Sequence, residues 1–218
     1  MNNTLQKDTL EFLKELKKNN NRQWFTRNKD FYLESLEDFR QLVERIMVGI
    51  AKFDESVLEL DPKKCLFRIY RDTRFAKDKS PYKTNFGARI NMGGKKSHKA
   101  GYYIHVEPGE CFLGGGLYHP SSERLAQVRQ KISRDGAQFK KIINAKSFKE
   151  NFELWGDQLK TCPKGFDKDD PMVEYLRYKD LVLLHGVPDK GVIARGFDTY
   201  SAKIFRKMVP FNSFLNED

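Results

Sequence analysis

The spacing of apolar residues changes period at Asp61-Pro62, and this change constrains the fold more than any other feature of the chain. Before it, Leu5, Phe12, Leu13 and Leu16 recur at three- and four-residue steps, and Asn19-Asn20-Asn21 breaks the pattern as a turn. Phe31, Leu36, Phe39, Leu42, Val43, Ile46 and Ile50 then resume the helical period to about Ala51, with charges on the opposite face. After Pro62 the period is two. Residues 66–70, 86–92 and 101–107 alternate apolar and polar positions, and 110–117 follows across Pro108-Gly109, a turn of hairpin length. Together they predict an antiparallel meander with one dry face. Phe67, Ile69, Phe86, Ala88, Ile90, Tyr102, Ile104 and Val106 are expected in the core, and Arg68, Tyr70, Arg89, Tyr103, His105 and Glu107 on the other face.

Beyond Tyr118-His119-Pro120 the helical period returns. Ser121 is placed to cap a helix whose buried stripe is Leu125, Val128 and Ile132. Shorter helices are expected at 136–144, 147–154 and 171–178, a strand at 181–185, and a last helix from Thr199 to about Met208. No stretch reads as a linker. The expectation is one α+β domain over 1–218: a helical part (1–60), a basic β-meander (63–118) and a mixed helical part (119–218), with the N- and C-terminal helices covering one face of the sheet. Seventeen Phe among 218 residues supply too much core material for a disordered chain. The longest apolar runs, such as Leu181-Val182-Leu183-Leu184, fall far short of the ~20 residues of a membrane span. The N-terminus lacks the basic and apolar regions of a secretory signal, so a cytoplasmic protein without membrane partners is expected. Cys65, Cys111 and Cys162 are odd in number and widely spaced, which suits neither a disulfide framework nor a Cys-x-x-Cys metal site.

Charge is confined to the meander. Twelve Lys and Arg lie between Lys63 and Lys99 against two acids, Asp72 and Asp78, and this segment holds the whole net charge of +10. Its centre runs from Phe67 to Gly87 as strand, then a loop of about a dozen residues dense in Arg and Lys, then strand.

Five blocks stand in order: Asn20-Asn21-Arg22-Gln23-Trp24-Phe25; Arg71-Asp72-Thr73-Arg74-Phe75 with Lys79-Ser80-Pro81-Tyr82-Lys83; Gly101-Tyr102-Tyr103-Ile104-His105 with Glu107-Pro108-Gly109; Phe112-Leu113-Gly114-Gly115-Gly116-Leu117; and Pro163-Lys164-Gly165-Phe166. Over nearly the whole chain this resembles the DUF2461 family, a conserved domain of unknown function. The resemblance implies a fold of helices and strands and carries no activity with it.

The residues themselves point to an anion. Arg68, Arg71 and Arg74 present planar donor forks suited to phosphate or carboxylate, Asp72 is placed to hold one of them, and Lys79, Lys83 and Arg89 add charge. Tyr82 and Tyr103 would shape the site or stack on a ligand. Gly114-Gly115-Gly116 lacks the Lys-Ser/Thr of a nucleotide-binding glycine loop, so these glycines are expected to leave bare sheet on which a ligand lies. Folded over them, the 71–83 loop would complete one pocket, Gly114 and Gly115 as floor and the loop as lid. His105 and Glu107 share a face and would perform any proton transfer; the alternative is a salt-bridged solvent face. His105, Glu107 and His119 contain the residue types of a two-histidine, one-carboxylate metal centre but match no compact spacing, and no metal or cofactor is expected. Trp24, Phe25, Trp155 and Cys111 read as core residues. The leading expectation is an anionic, phosphate-bearing small molecule as partner, with or without catalysis. The alternatives are a nucleic acid bound by the same basic segment, or a protein-interaction module.

Overall fold

Asparagines set the turns between the first helices, α1 (Lys7–Lys18), α2 (Arg22–Arg27) and α3 (Lys29–Ile50). Asn21 Oδ1 accepts the Trp24 amide at 2.9 Å and caps α2. The Asn20 side chain pairs with both backbone groups of Tyr82, accepting from its N–H at 3.1 Å and donating to its carbonyl at 2.9 Å. This polar clamp ties the N-terminal turn to the segment entering the sheet. The computed structural model describes residues 4–95 and 97–217; Met1–Asn3, Lys96 (one of the twelve basic residues counted above) and Asp218 lie outside the described residues.

After α4 (Pro62–Cys65) come β1 (Phe86–Ile90), β2 (Gly101–Val106) and β3 (Phe112–Leu117). Helices α5 (Ser122–Arg134), α6 (Gly136–Ile143) and α7 (Lys146–Lys149) lead to β4 (Glu153–Trp155). The chain then passes through α8 (Val173–Leu176), β5 (Leu181–Gly186), α9 (Asp189–Val192) and α10 (Phe197–Asn216). The five strands form one antiparallel sheet in the order β1-β2-β3-β5-β4, an α+β arrangement. Helices α3 and α10 pack against one another and cover one face of the sheet, α3 on β1 and α10 on β3. Phe86 stacks on Phe39 of α3 (centroids 5.5 Å apart) and on Phe12 of α1 (6.0 Å), and all three rings are buried. Each such side chain contributes about 1.5–3 kcal/mol on burial.

Four expectations are corrected. Residues 66–70 are not a strand: only isolated bridges join Leu66 to Ala88 and Tyr70 to Tyr82. Pro81, whose carbonyl accepts the Arg71 amide at 2.9 Å, has no N–H to continue a ladder. Phe67 is therefore not in the core and is 37% exposed. The 147–154 helix stops after one turn because residues 153–155 pair with the free edge of β5. The last helix runs on to Asn216, since Phe211, Phe214 and Leu215 continue its buried stripe, and Pro210, which has no N–H to donate within the helix, lies on its exposed side.

Candidate functional site

Register assigns each strand position to a face. On the helix side, Ile90, Tyr102, Gly115, Leu183 and Leu154 form one row across the strands. On the other side the rows are Gly87, His105, Phe112, Gly186; then Arg89, Tyr103, Gly114, Leu184, Glu153; then Gly101, Gly116, Val182, Trp155. This open face is a groove of about 530 Å³. Gly114 is its bare floor, flanked by Tyr103 and Leu184, with Phe112, Tyr118, Trp155 and Val182 as apolar walls and Phe67, Lys83 and Arg89 at one end. Gly115 also borders the groove, but its missing side chain is on the helix side, where a Cβ would lie 2.6 Å from Met208 Sδ of α10.

The cationic end has two differently held charges. Arg89 donates to the carbonyls of Lys95, Ser97 and Lys99, each at 3.1 Å, and clamps the β1–β2 connection. Lys83 has no hydrogen bond and no ion pair to its ammonium among the described residues; it sits 5.3 Å from the centre of the Phe67 ring, with Lys95 at 5.6 Å from the same ring. Burial holds the Lys83 pKa below the ordinary lysine value, and the nearby charges of Arg68 and Lys95 lower it further. Burial likewise lowers Arg89.

Beside this end lies a hydrogen-bonded series. His105 Nδ1 is 3.2 Å from the Tyr103 hydroxyl and 3.4 Å from Asn85 Nδ2, while its Nε2 is 3.2 Å from Glu107 Oε2. Glu107 Oε1 accepts from the Thr84 hydroxyl at 2.7 Å and faces Lys17 Nζ at 3.5 Å. The His105 and Glu107 side chains are only 15% and 14% exposed, which makes them a half-buried pair in place of a solvated ion pair. Burial lowers the His105 pKa although Glu107 opposes the shift. Burial alone would raise Glu107, but Thr84, His105 and Lys17 together bring it net below the usual carboxylate value.

The basic loop is arranged differently from the lid expected for it. Of residues 71–83, only Lys83 lines the groove. Asp72 accepts from Arg74 at 3.0 and 2.7 Å, Arg71 pairs with Asp78, and Lys79 Nζ donates to the Thr73 carbonyl at 3.0 Å, so the loop is closed on itself. Its tip, Phe75, is 95% exposed. Arg68 is exposed, and Tyr82 is buried with its ring stacked 3.9 Å from Phe25. His105, Tyr103, Lys83, Arg89, Gly114 and Gly115 thus come together, with Glu107 bonded to His105, while Arg68, Arg71, Asp72, Arg74, Lys79 and Tyr82 lie outside the groove. His119 turns to Asp180, its amide donating to Oδ1 at 2.6 Å, and no cluster of three His, Cys, Asp or Glu suited to a metal occurs among the described residues. Cys111 is buried and its thiol is pushed up to about 12 by that burial. Trp155, expected in the core, is half exposed at the groove rim. Tyr118 and Phe67 also join the groove without having been expected there; the even spacing of Phe112, Gly114 and Gly116 was the available signal for that face. Among the described residues no helix is long and apolar enough to cross a membrane.

No curated protein and no solved structure matches this chain. The family described as conserved hypothetical protein (DUF2461) matches residues 8–214, nearly the full length, and the chain belongs to that family.

Proposed function

We propose that this DUF2461 protein binds a phosphate-bearing small molecule in the open-face groove, its anionic group against Lys83 and its apolar or planar part over Gly114 between Tyr103, Phe112, Tyr118 and Trp155. The observation that carries this is the unpaired, half-buried Lys83 ammonium at the head of an aromatic groove. Burying a cation without a counterion is costly, and a bound anion offsets that cost. Large apolar rings left exposed along a bare glycine floor fit a ligand surface better than a solvent face. The test is a thermal-shift screen of nucleotides and sugar phosphates, repeated with Lys83→Ala. Stabilisation that grows with ligand concentration and disappears in the variant is expected. Shifts that survive in Lys83→Ala would place the anion elsewhere.

A second reading is favoured by one observation, the fully presented Phe75 ring on a basic loop, which suits stacking on an unpaired base of a nucleic acid. Neutralising about four phosphates predicts a log-log salt slope near −2.8 on a single strand, about 0.7 for each phosphate. Flat binding to DNA and RNA at low salt would remove this reading.

A further inference from the structure

Tyr103 does not stand upright on the sheet. Its hydroxyl leans across β1 onto Gly87, where a Cβ would lie 2.4 Å from that oxygen. The absence of a side chain at Gly87 is what allows the phenol to reach His105 Nδ1 at 3.2 Å. The tautomer of His105 follows from its neighbours. The Asn85 amide, a donor, faces Nδ1 and the Glu107 carboxylate, an acceptor, faces Nε2, so the proton resides on Nε2 and the unprotonated Nδ1 accepts, the Tyr103 hydroxyl then donating to it. Phe112 stacks on the imidazole at 4.6 Å and fixes its plane. Thr84 and Lys17 in turn hold Glu107. Tyr103 and His105 thus line the groove together with Lys83, and the orienting carboxylate of Glu107 is bonded to the far nitrogen of His105.

We propose that Tyr103 is the nucleophile of the groove, His105 its general base and Glu107 the carboxylate that orients the base, acting on a phosphate ester. This inference rests on the anion-binding reading above for its substrate class. The phenol oxygen bonds to phosphorus while its proton passes to His105 Nδ1, and the bond from phosphorus to the ester oxygen breaks with its electron pair on the leaving alkoxide. His105 then returns the proton to that alkoxide, and water cleaves the phosphotyrosine by the same steps reversed. Burial, with the Tyr118 and Glu107 charges adding to it, pushes the Tyr103 phenol up to about 12, so the proton must leave in the bond-forming step, which a neutral imidazole permits.

The test uses 4-(fluorosulfonyl)benzoate, an anionic aryl electrophile, with the full-length protein and peptide mapping by mass spectrometry. In that reaction the phenol oxygen bonds to sulfur, fluoride leaves, and the proton goes to His105. One adduct is expected, on Tyr103, forming about 100-fold more slowly in His105→Gln and about tenfold more slowly in Glu107→Gln. Gly87→Ala, which displaces the hydroxyl and leaves the other two groups in place, should slow it comparably and serves if His105→Gln fails to fold. The groups facing the relay are Glu107, Glu110, Lys83, Lys17, Arg89 and Tyr118. Since burial lowers the His105 pKa, the rate should rise with pH as the imidazole loses its proton and level off below 6.5, the ordinary histidine value. An adduct on Lys83 in place of Tyr103, no adduct on Tyr103, or a Tyr103 rate that ignores His105 and keeps climbing with the ionisation of the phenol itself toward about pH 12 overturns the proposal. Added inorganic phosphate should slow the adduct. A His105-dependent Tyr103 adduct indifferent to phosphate upholds the relay and overturns only the anion-binding reading.

Discussion

Replacing Lys83 by Met separates what the lysine costs the empty protein from what it does for a ligand. Met keeps most of the aliphatic stem over Phe67 and removes the ammonium, which has no ion-pair partner among the described residues. Replacing a partly desolvated, unpaired cation by an apolar group of similar volume should stabilise the unliganded protein by on the order of 1 kcal/mol. For a domain of this size that raises Tm by about 2–4 °C. The advantage depends on pH. The folded-state pKa of Lys83 lies below its unfolded value of 10.5, so the unfolded chain binds more protons in the window between the two. The penalty is complete below the folded pKa and fades as pH rises to 10.5, and the gap between variant and wild type should close over that window. With ligand present the order reverses. Removing a charge-assisted hydrogen bond worth about 1.5–3 kcal/mol weakens phosphate binding roughly 10- to 150-fold. Differential scanning fluorimetry across pH, with and without the phosphate ligands that shift the wild type, measures both effects. A Lys83→Met protein that melts below the wild type and keeps its ligand shift would refute the assignment of Lys83 as an unsatisfied anion anchor.

Because Arg71 and Arg74 are held by Asp78 and Asp72 within the loop, the double Ala variant should leave the affinity for a groove-bound phosphate within about twofold, measured by calorimetry. The same variant should flatten the salt slope for a single-stranded nucleic acid by about 0.7 for each phosphate that the loop no longer neutralises. Gly114→Ala meets no atom closer than 3.4 Å, so the melting temperature should hold or rise slightly, while the methyl on the groove floor should weaken ligand binding by about tenfold. Asn20→Ala strips both backbone partners from Tyr82, and chemical denaturation should show a loss of about 1–3 kcal/mol.

The fold was legible where local period and tertiary burial agree. The helical repeat of 29–50 became α3, and alternation placed Arg89, Tyr103 and His105 on one face opposite Ala88, Tyr102 and Ile104. It failed where distant pairing decides. Nothing near residues 153–155 announces a strand, because their partners lie on β5, so Trp155 reads as core from its own neighbourhood and lies at the groove rim in the fold. Alternation at 66–70 assumes a continuous ladder, whereas two isolated bridges leave the chain between them free to turn Phe67 outward beneath Lys83 and Lys95.

The same distinction explains how the concentrated charge divides. A count of Lys and Arg treats each as a free cation, but partners change what each can do. Arg71 and Arg74 are neutralised by the only two acids in their segment, and both pairs stiffen a loop that presents Phe75. Arg89 directs its donors to three carbonyls, and Lys95 donates to the Leu66 carbonyl, so both act first as braces for the β1–β2 connection. Lys83, one residue beyond the bridge that ends the loop, is left over the open sheet face with its charge unsatisfied. A carboxylate placed beside it would have stabilised the empty fold by ordinary pairing; Glu107 lies nearby and is occupied by His105, Thr84 and Lys17. The local chemistry therefore leaves one cation without a carboxylate partner and one neutral imidazole in the same groove, an arrangement that costs the protein stability below the folded-state pKa of Lys83.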